Sequence, residues 1–402
     1  MASASKKKPS RAQRKEALAA AAAAVKVPER CDVAVIGGGA AGLVAATVAA
    51  EAGASVVVYE RELECGRTIL ATGNGRCNFA NEDLDAERYN DPAFVRAVCG
   101  DGHAWLSDVL GFWRGCGLAW TSEGGRLYPA SLQAASVRNV LLERCRRAGV
   151  VLACGRDVDA ARGAGPIAAS SPEDAAGSSV PRAASVVAAT GGAGEPVLCP
   201  IAAHPADGDV SLAELDGRRA RVQAELLRGG EVVFAEAGEV LFRPWGLSGI
   251  VMFDFSRRVR AGDVVRLDLT CGIPKAELVR LAPDGVLDPR IARALGGGRR
   301  ALERARALDF VLEGLAETNK AQVKRGGLPT SDFDPATLAS RTRPGFFACG
   351  EALDVDADCG GFNLAWAWKS GMVAGAAAAR AALAARGALP GKDHTNDGGN
   401  EC

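Results

Sequence analysis

The run Asp32-Val33-Ala34-Val35-Ile36-Gly37-Gly38-Gly39-Ala40-Ala41-Gly42 constrains this chain more than any other, because an apolar strand feeds straight into a glycine turn and an alanine-rich helix. Gly37, Gly39 and Gly42 stand at the G-x-G-x-x-G positions: the first permits a tight turn, the second lets backbone approach a pyrophosphate, and the third lets helix pack on strand. Phosphates then sit at the helix N-terminus, where unpaired N–H groups and the helix dipole favour negative charge. With 49 glycines in 402 residues the motif alone is weak. Its context strengthens it: a second strand, residues 54–59, ends in Glu60, an acid placed to accept hydrogen bonds from an adenosine ribose. These residues predict a dinucleotide site.

Charge excludes other classes. Lysine plus arginine and aspartate plus glutamate are 48 each, so no global field draws the chain to nucleic acid or an anionic membrane, and the expected partner is a small-molecule substrate. Oligomeric state is left open. Lys6-Lys7-Lys8, Arg11, Arg14 and Lys15 precede an alanine run, but alanine makes a poor signal-peptide core, so residues 1–27 are expected to be a disordered basic, Ala-rich extension with partial helix at most. No apolar run reaches membrane-spanning length. Twelve cysteines form no C-x-x-C, and His103, His204 and His394 fall at no ligand spacing, so no metal is expected. The cysteines read as small buried hydrophobes in a reducing compartment, which places the protein in the cytoplasm.

The texture changes along the chain. Residues 28–200, with 327–388, read as one α/β Rossmann-type unit; residues 201–326 read as an inserted β-rich domain with a small helical part; 389–402 read as a disordered tail. Residues 132–148 are expected to be helical, with Arg144, Arg146 and Arg147 at the dipole's negative end. Residues 160–184 are Ala, Gly, Ser and Pro and predict a flexible excursion, after which 185–192 reads as a buried strand ending in glycines. In the insert, Val222, Ala224 and Leu226 alternate before Gly229-Gly230, as in a hairpin, whereas 273–317, with Leu302, Ala305, Leu308, Leu312 and Leu315, predicts helix.

A late strand ends in Gly350-Glu351-Ala352-Leu353-Asp354, followed by Gly360-Gly361-Phe362-Asn363 at a helix start. An acid at the strand end suits ribityl hydroxyls, and the glycine pair lets backbone and helix N–H groups reach a flavin's negative edge, so FAD is favoured over NAD as the resident cofactor. Between the first unit and the helical region, residues 65–79 supply turn glycines, amides and arginines suited to a pyrophosphate and a flavin's polar edge.

These segments resemble the bacterial NAD(P)/FAD-dependent oxidoreductases called BaiN-like or aminoacetone-oxidase-like flavoproteins. The matches are Val35 to Gly42, Gly66 to Asn78 with Asn81, Gly238 to Gly249, Ala321 to Val323 with Gly326-Gly327, and Gly345 to Gly375, in family order across about residues 30–385. The resemblance implies a two-dinucleotide-type FAD fold interrupted by a β-rich domain. It implies cofactor contacts from Gly37, Gly38, Gly39, Ala40, Ala41, Gly42, Glu60, Arg61, Arg67, Thr72, Gly73, Asn74, Gly75, Arg76, Cys77, Asn78, Val158, Thr190, Gly191, Gly350, Glu351, Asp354, Gly361, Phe362 and Asn363. Arg76 and Asn78 are the catalytic candidates, with Asn363 also near the flavin and Ser248 and Trp245 on the substrate side. One departure is visible: a loop and helix that the family carries after Gly191-Gly192 are absent, and the chain passes at once to Pro196 and Pro200. The expected activity is hydride transfer between FAD and a small organic substrate. NAD(P)H is the expected transient donor, sharing the substrate cleft because no second strand-linked G-x-G-x-x-G follows. The alternative is a flavin-binding module without turnover.

Overall fold

The computed structural model describes residues 10–159 and 182–387. Five parallel strands form the central sheet in the order Phe346–Ala348, Arg182–Ala188, Arg30–Ile36, Val56–Glu60 and Val151–Cys154. Their side chains are buried on both faces, which explains the near-continuous valine and alanine runs. From Arg30–Ile36 the chain builds outward to Val56–Glu60 and Val151–Cys154, then returns to add Arg182–Ala188 on the other side. The order reverses between Arg30–Ile36 and Arg182–Ala188, and it is at the carboxyl ends of strands on either side of such a reversal that open α/β sheets take ligands.

Two helices cover one face. Ala40–Glu51 follows the glycine turn, and Phe362–Gly387 lies against it. Small residues set their spacing: a Cβ on Gly371 would stand 2.6 Å from the Ala41 carbonyl oxygen, and one on Gly375 would stand 2.3 Å from that of Ala45. Buried aromatic side chains pack around the second of these helices: Trp113 and Trp368 meet edge to face at 4.9 Å, and the Trp366 indole donates to the Gly350 carbonyl at 3.1 Å.

The insert closes into a six-stranded barrel, in the order Arg219–Arg228, Glu231–Arg243, Gly246–Ser248, Ile201–Pro205, Leu308–Leu315 and Val264–Asp268. Val222, Ala224 and Leu226 point inward, as their alternation predicts, and Gly229 and Gly230 turn the hairpin with φ of 60° and 88°. Residues 308–315 depart from the helical expectation. Leu308, Phe310 and Leu312 are buried with half-buried neighbours between them, a period of two that pairs with strands on both sides and removes the barrel's edge. The preceding helices are short, Lys275–Leu278, Pro289–Ala294 and Gly298–Ala305.

Within the basic extension, residues 11–23 form a helix, the helical part of the disordered or partly helical reading, started by a capping box in which the Ser10 hydroxyl accepts from the Gln13 N–H at 3.2 Å and the Gln13 side chain accepts from the Ser10 N–H at 2.9 Å. The excursion expected at 160–184 falls outside the described residues except for 182–184, which begin a sheet strand. The tail expected at 389–402 also falls outside them.

Candidate functional site

Three glycine turns converge at the carboxyl ends of three adjacent strands. Gly37 follows Ile36, Thr190-Gly191 follow Ala188 and Ala189, and Gly350 follows Ala348 and Cys349. The backbone stitches them: the Ala189 N–H donates to the Ile36 carbonyl at 2.8 Å and the Cys349 N–H to the Ala188 carbonyl at 3.0 Å. The fingerprint glycines then divide by what surrounds them. A Cβ on Gly37 would stand 2.2 Å from the Ala189 carbonyl oxygen and one on Gly42 1.9 Å from the Gly37 carbonyl oxygen, so both are packing positions. At Gly39 the nearest heavy atom is the Thr68 hydroxyl at 3.6 Å, and a Cβ on Gly191 meets nothing within 4 Å. Among the described residues only the Thr68 hydroxyl approaches the space before Gly39, whereas the glycine at 191 also answers to its φ of 77°, and the first N–H groups of the helix after Gly39 have no intrahelical partner.

Glu60 is positioned by two backbone donors, the Gly38 N–H at 2.8 Å and the Glu62 N–H at 2.8 Å, one to each oxygen. This leaves a lone pair on each oxygen for a hydroxyl. Ala40 is half-buried beside Gly39, and Ala41 packs under Gly350, where an added Cβ would stand 2.8 Å from the Ala41 methyl. Arg61 and Arg67 are exposed, and Arg67 pairs with Glu62. Val158 is half-buried against the core.

The loop after Gly66 bends through positive φ at Gly73, Asn74, Gly75 and Cys77. Its side chains have separate fates. Thr72 donates to the Ile69 carbonyl at 2.7 Å, Cys77 is fully buried, and Asn74 is exposed. The Arg76 guanidinium pairs with Glu123 and lies 4.4 Å from the Tyr128 ring centre. Asn78 differs, because its side-chain oxygen is buried and accepts no hydrogen bond among the described residues. That atom lies 2.8 Å from where a Cβ on Gly361 would stand, and a Cβ on Gly73 would stand 2.9 Å from the Asn78 N–H. An orphaned amide oxygen beside two turns that exclude side chains fits a ligand with a polar ring edge.

Several polar groups of the late segment already have protein partners. The Asn363 amide accepts from the Ala357 N–H at 2.8 Å and donates to the Ala357 carbonyl at 2.9 Å, which fixes the loop ahead of the helix. Asp354 likewise accepts from the Gly326 N–H at 3.0 Å. The Phe362 ring is buried, and its carbonyl accepts from the Tyr89 hydroxyl at 2.6 Å. Burial raises the Glu351 carboxyl to about 7, with the Gly192 and Lys324 backbone donors pulling the other way. After Gly191-Gly192, residues 195–197 pair with 323–325, and the Ala193 and Gly194 N–H groups both donate to the Gly326 carbonyl at 3.1 Å.

Sequence reading missed the junction between barrel and sheet. Arg257, just past the helix Ile250–Ser256, bonds Asp356 at 2.7 Å and also pairs with Asp358, while Arg325 bonds Asp356 at 2.8 Å. Burial pushes the Asp356 carboxyl up, but Arg325 and Arg257 outweigh it and hold it below the usual range. Beside them Asp254 accepts from the Cys359 N–H, and its other oxygen is buried without a donor, as is one oxygen of the neighbouring Glu236. Burial, then the Glu236 carboxyl, raise Asp254 well above the ordinary carboxylate value. The available signal was the doublet Arg257-Arg258 after an apolar helix, facing two aspartates just before Gly360-Gly361. Of the substrate-side candidates, Trp245 is half-buried and Ser248 is buried in a barrel strand.

Residues 31–377 match the family model described as the HI0933-like protein Rossmann domain. Among curated proteins, the chain is 32% identical to a 3-dehydro-bile acid delta(4,6)-reductase of Clostridium scindens, over 86% of this chain and 98% of that protein. It is 25% identical to a ribosomal RNA dihydrouridine synthase of Escherichia coli, over 85% of this chain and 96% of that protein. Among solved structures, a 3-ketosteroid-delta4-(5alpha)-dehydrogenase of Rhodococcus jostii RHA1 overlaps 89% of this chain and 98% of its own at 15% identity and a TM-score of 0.43. So remote a likeness does not bear on the chemistry.

Proposed function

The chain belongs to the HI0933-like, BaiN-like family of FAD-dependent Rossmann oxidoreductases, and from that premise we propose that it reduces a carbon–carbon double bond conjugated to a carbonyl in a small apolar molecule. The two relatives' names share this chemistry. A delta(4,6)-reductase of a 3-oxo bile acid and a synthase of dihydrouridine both saturate an alkene activated by a carbonyl. A small molecule is preferred to RNA because the 48 basic and 48 acidic residues leave no surplus charge for a polyanion. The proposed donor is a reduced nicotinamide that shares the substrate cleft, and the proposed compartment is the cytoplasm.

The observation that carries the reading is the row of three glycine turns at one sheet edge, with the orphaned Asn78 oxygen beside them. An FAD fits these residues: Glu60 would take the adenosine ribose, the backbone at Gly39, Ala40, Ala41 and Gly191 would border the pyrophosphate, and Asn78 would accept from an N–H of the flavin ring. Bound there, the cofactor supplies hydride acceptance and donation. The protein's own contribution is orientation, exclusion of water by the barrel clasped through Arg257 and Arg325, and positive charge from Arg76 in the loop beside Asn78. The test is anaerobic reduction of purified flavoprotein by NADH and NADPH, then reoxidation by a 3-oxo-Δ4 steroid, with uridine-containing RNA offered in parallel. Reoxidation by the steroid alone supports the proposal. Reoxidation by RNA alone replaces the substrate class, and bound flavin that neither donor reduces leaves a module without turnover.

A further inference from the structure

The eleven cysteines among the described residues are free, and two of them meet. The Cys65 and Cys154 sulfurs lie 3.5 Å apart although 89 residues separate them. Cys154 ends the strand Val151–Cys154, where it pairs in register with Glu60, and Cys65 lies in the turn that leaves Val56–Glu60. Parallel pairing of these two strands therefore sets the thiols side by side. Cys65 is 3% exposed, and Cys154 is half-buried, so only the second is open to a small reagent.

The pair sits beneath the nucleotide turn. A Cβ on Gly38 would stand 2.6 Å from the Cys65 sulfur, the Gly66 N–H donates to the Gly38 carbonyl at 2.7 Å, and Glu60 bonds the Gly38 N–H. On the other side Arg138 donates to the Cys65 carbonyl at 2.8 Å, which anchors the turn's backbone. Either thiol can donate across this contact, which lowers the Cys154 thiol below its ordinary value and raises that of Cys65. The more accessible sulfur is thus also the better thiolate.

We propose that Cys65 and Cys154 form a reversible thiol–disulfide site, oxidised by hydrogen peroxide, whose closure loosens the hold of the Gly37–Gly39 turn on the bound dinucleotide. In the first step the Cys154 thiolate attacks peroxide: an S–O bond forms, the O–O bond breaks, and the departing hydroxide takes a proton as water. In the second, the Cys65 sulfur attacks the sulfenic sulfur: an S–S bond forms, the S–O bond breaks, and a second water leaves with the Cys65 proton. The two sulfurs lose two electrons in total and peroxide gains them. A dithiol of the cell reverses the change by exchange. Closing from 3.5 Å to about 2 Å draws Cys65 toward the strand end. That movement pulls on Gly66 and hence on Gly38. The coupling to the cofactor rests on the FAD reading above, whereas the disulfide itself does not.

The experiment treats the purified holoprotein with stoichiometric hydrogen peroxide, digests it without reduction, and follows FAD release in a parallel sample by the rise in flavin fluorescence. The expected result is a peptide joining Cys65 to Cys154, lighter by two hydrogens than its parts, cleaved by dithiothreitol, together with faster FAD release that dithiothreitol restores. Cys65→Ser should stop at a sulfenic acid on Cys154, trapped by dimedone, with FAD release unchanged by peroxide. Cys271→Ser, which removes the exposed thiol, should leave the cross-link unaffected. Oxidation confined to Cys271, or a cross-link that leaves FAD release unchanged, overturns the proposal. A cross-link in protein that takes up no FAD would keep the disulfide site and refute the flavin reading instead.

Discussion

Gly39 and Gly42 give the sharpest separation between a glycine kept for the fold and one kept for a ligand. Both belong to one motif and are three residues apart. In Gly42→Ala the new methyl meets the Gly37 carbonyl oxygen at 1.9 Å and the Ala189 methyl at 3.1 Å, so strand and helix must part. Such overpacking against backbone costs about 3 kcal/mol or more. In Gly39→Ala the methyl finds only the Thr68 hydroxyl at 3.6 Å, at a φ of −82° that alanine adopts freely. The loss of a favourable N-cap and the gain from a stiffer unfolded chain nearly cancel, so the apoprotein should keep its stability to within about 1 kcal/mol. FAD binding should suffer instead, because the methyl fills the space a pyrophosphate needs. Loss of one charge-assisted backbone hydrogen bond amounts to about 3 kcal/mol, or roughly 150-fold in Kd. Thermal unfolding of the deflavinated proteins and FAD titration by fluorescence measure the two effects separately. Parental FAD affinity in Gly39→Ala, or its unfolding alongside a stable Gly42→Ala, would refute the assignment.

Three further outcomes follow from the site. Asp254 holds its proton in the folded protein at pH values where the unfolded chain has lost it, so ionisation costs stability as pH rises above the ordinary carboxylate range. Asp254→Asn keeps the acceptor for Cys359 and adds a donor for Glu236, and should gain about 1 to 2 kcal/mol at pH 8 that vanishes near pH 4, by urea titration. Glu351 has a folded value of about 7 against an ordinary 4.5, so apoprotein stability should fall by up to about 3 kcal/mol between those pH values, and Glu351→Gln should flatten that slope. Arg76 is an exposed partner of Glu123, so Arg76→Ala should leave the melting temperature unchanged while slowing flavin reduction at saturating FAD in stopped-flow; an unchanged rate constant would remove it from the chemistry.

What was legible in the sequence was local. The strand, turn, helix, strand and acid from Arg30 to Glu60 each obey short-range rules, and the structure has all five. Leu308–Leu315 was misread because its leucines also satisfy a helical period, and only closure of the barrel between two partner strands selects the alternation. The bonds between the Asn363 amide and Ala357 were not foreseen, because the loop that supplies Ala357 follows a path no local rule fixes. The Asp254 and Glu236 pair and the Arg257 clasp join residues brought together by the docking of barrel on sheet. The cysteines were read as small buried hydrophobes, and eight of the eleven described ones are buried. The Cys65 and Cys154 contact comes from strand register across 89 residues and leaves no mark on local spacing.

The central claim is that the edge built by Gly39, Gly191 and Gly350 holds FAD. The most direct measurement is the absorption spectrum of the purified protein, followed by denaturation and identification of what is released. The account predicts a yellow protein that releases non-covalently bound FAD at one molecule per chain. A colourless protein that takes up no added FAD would contradict it.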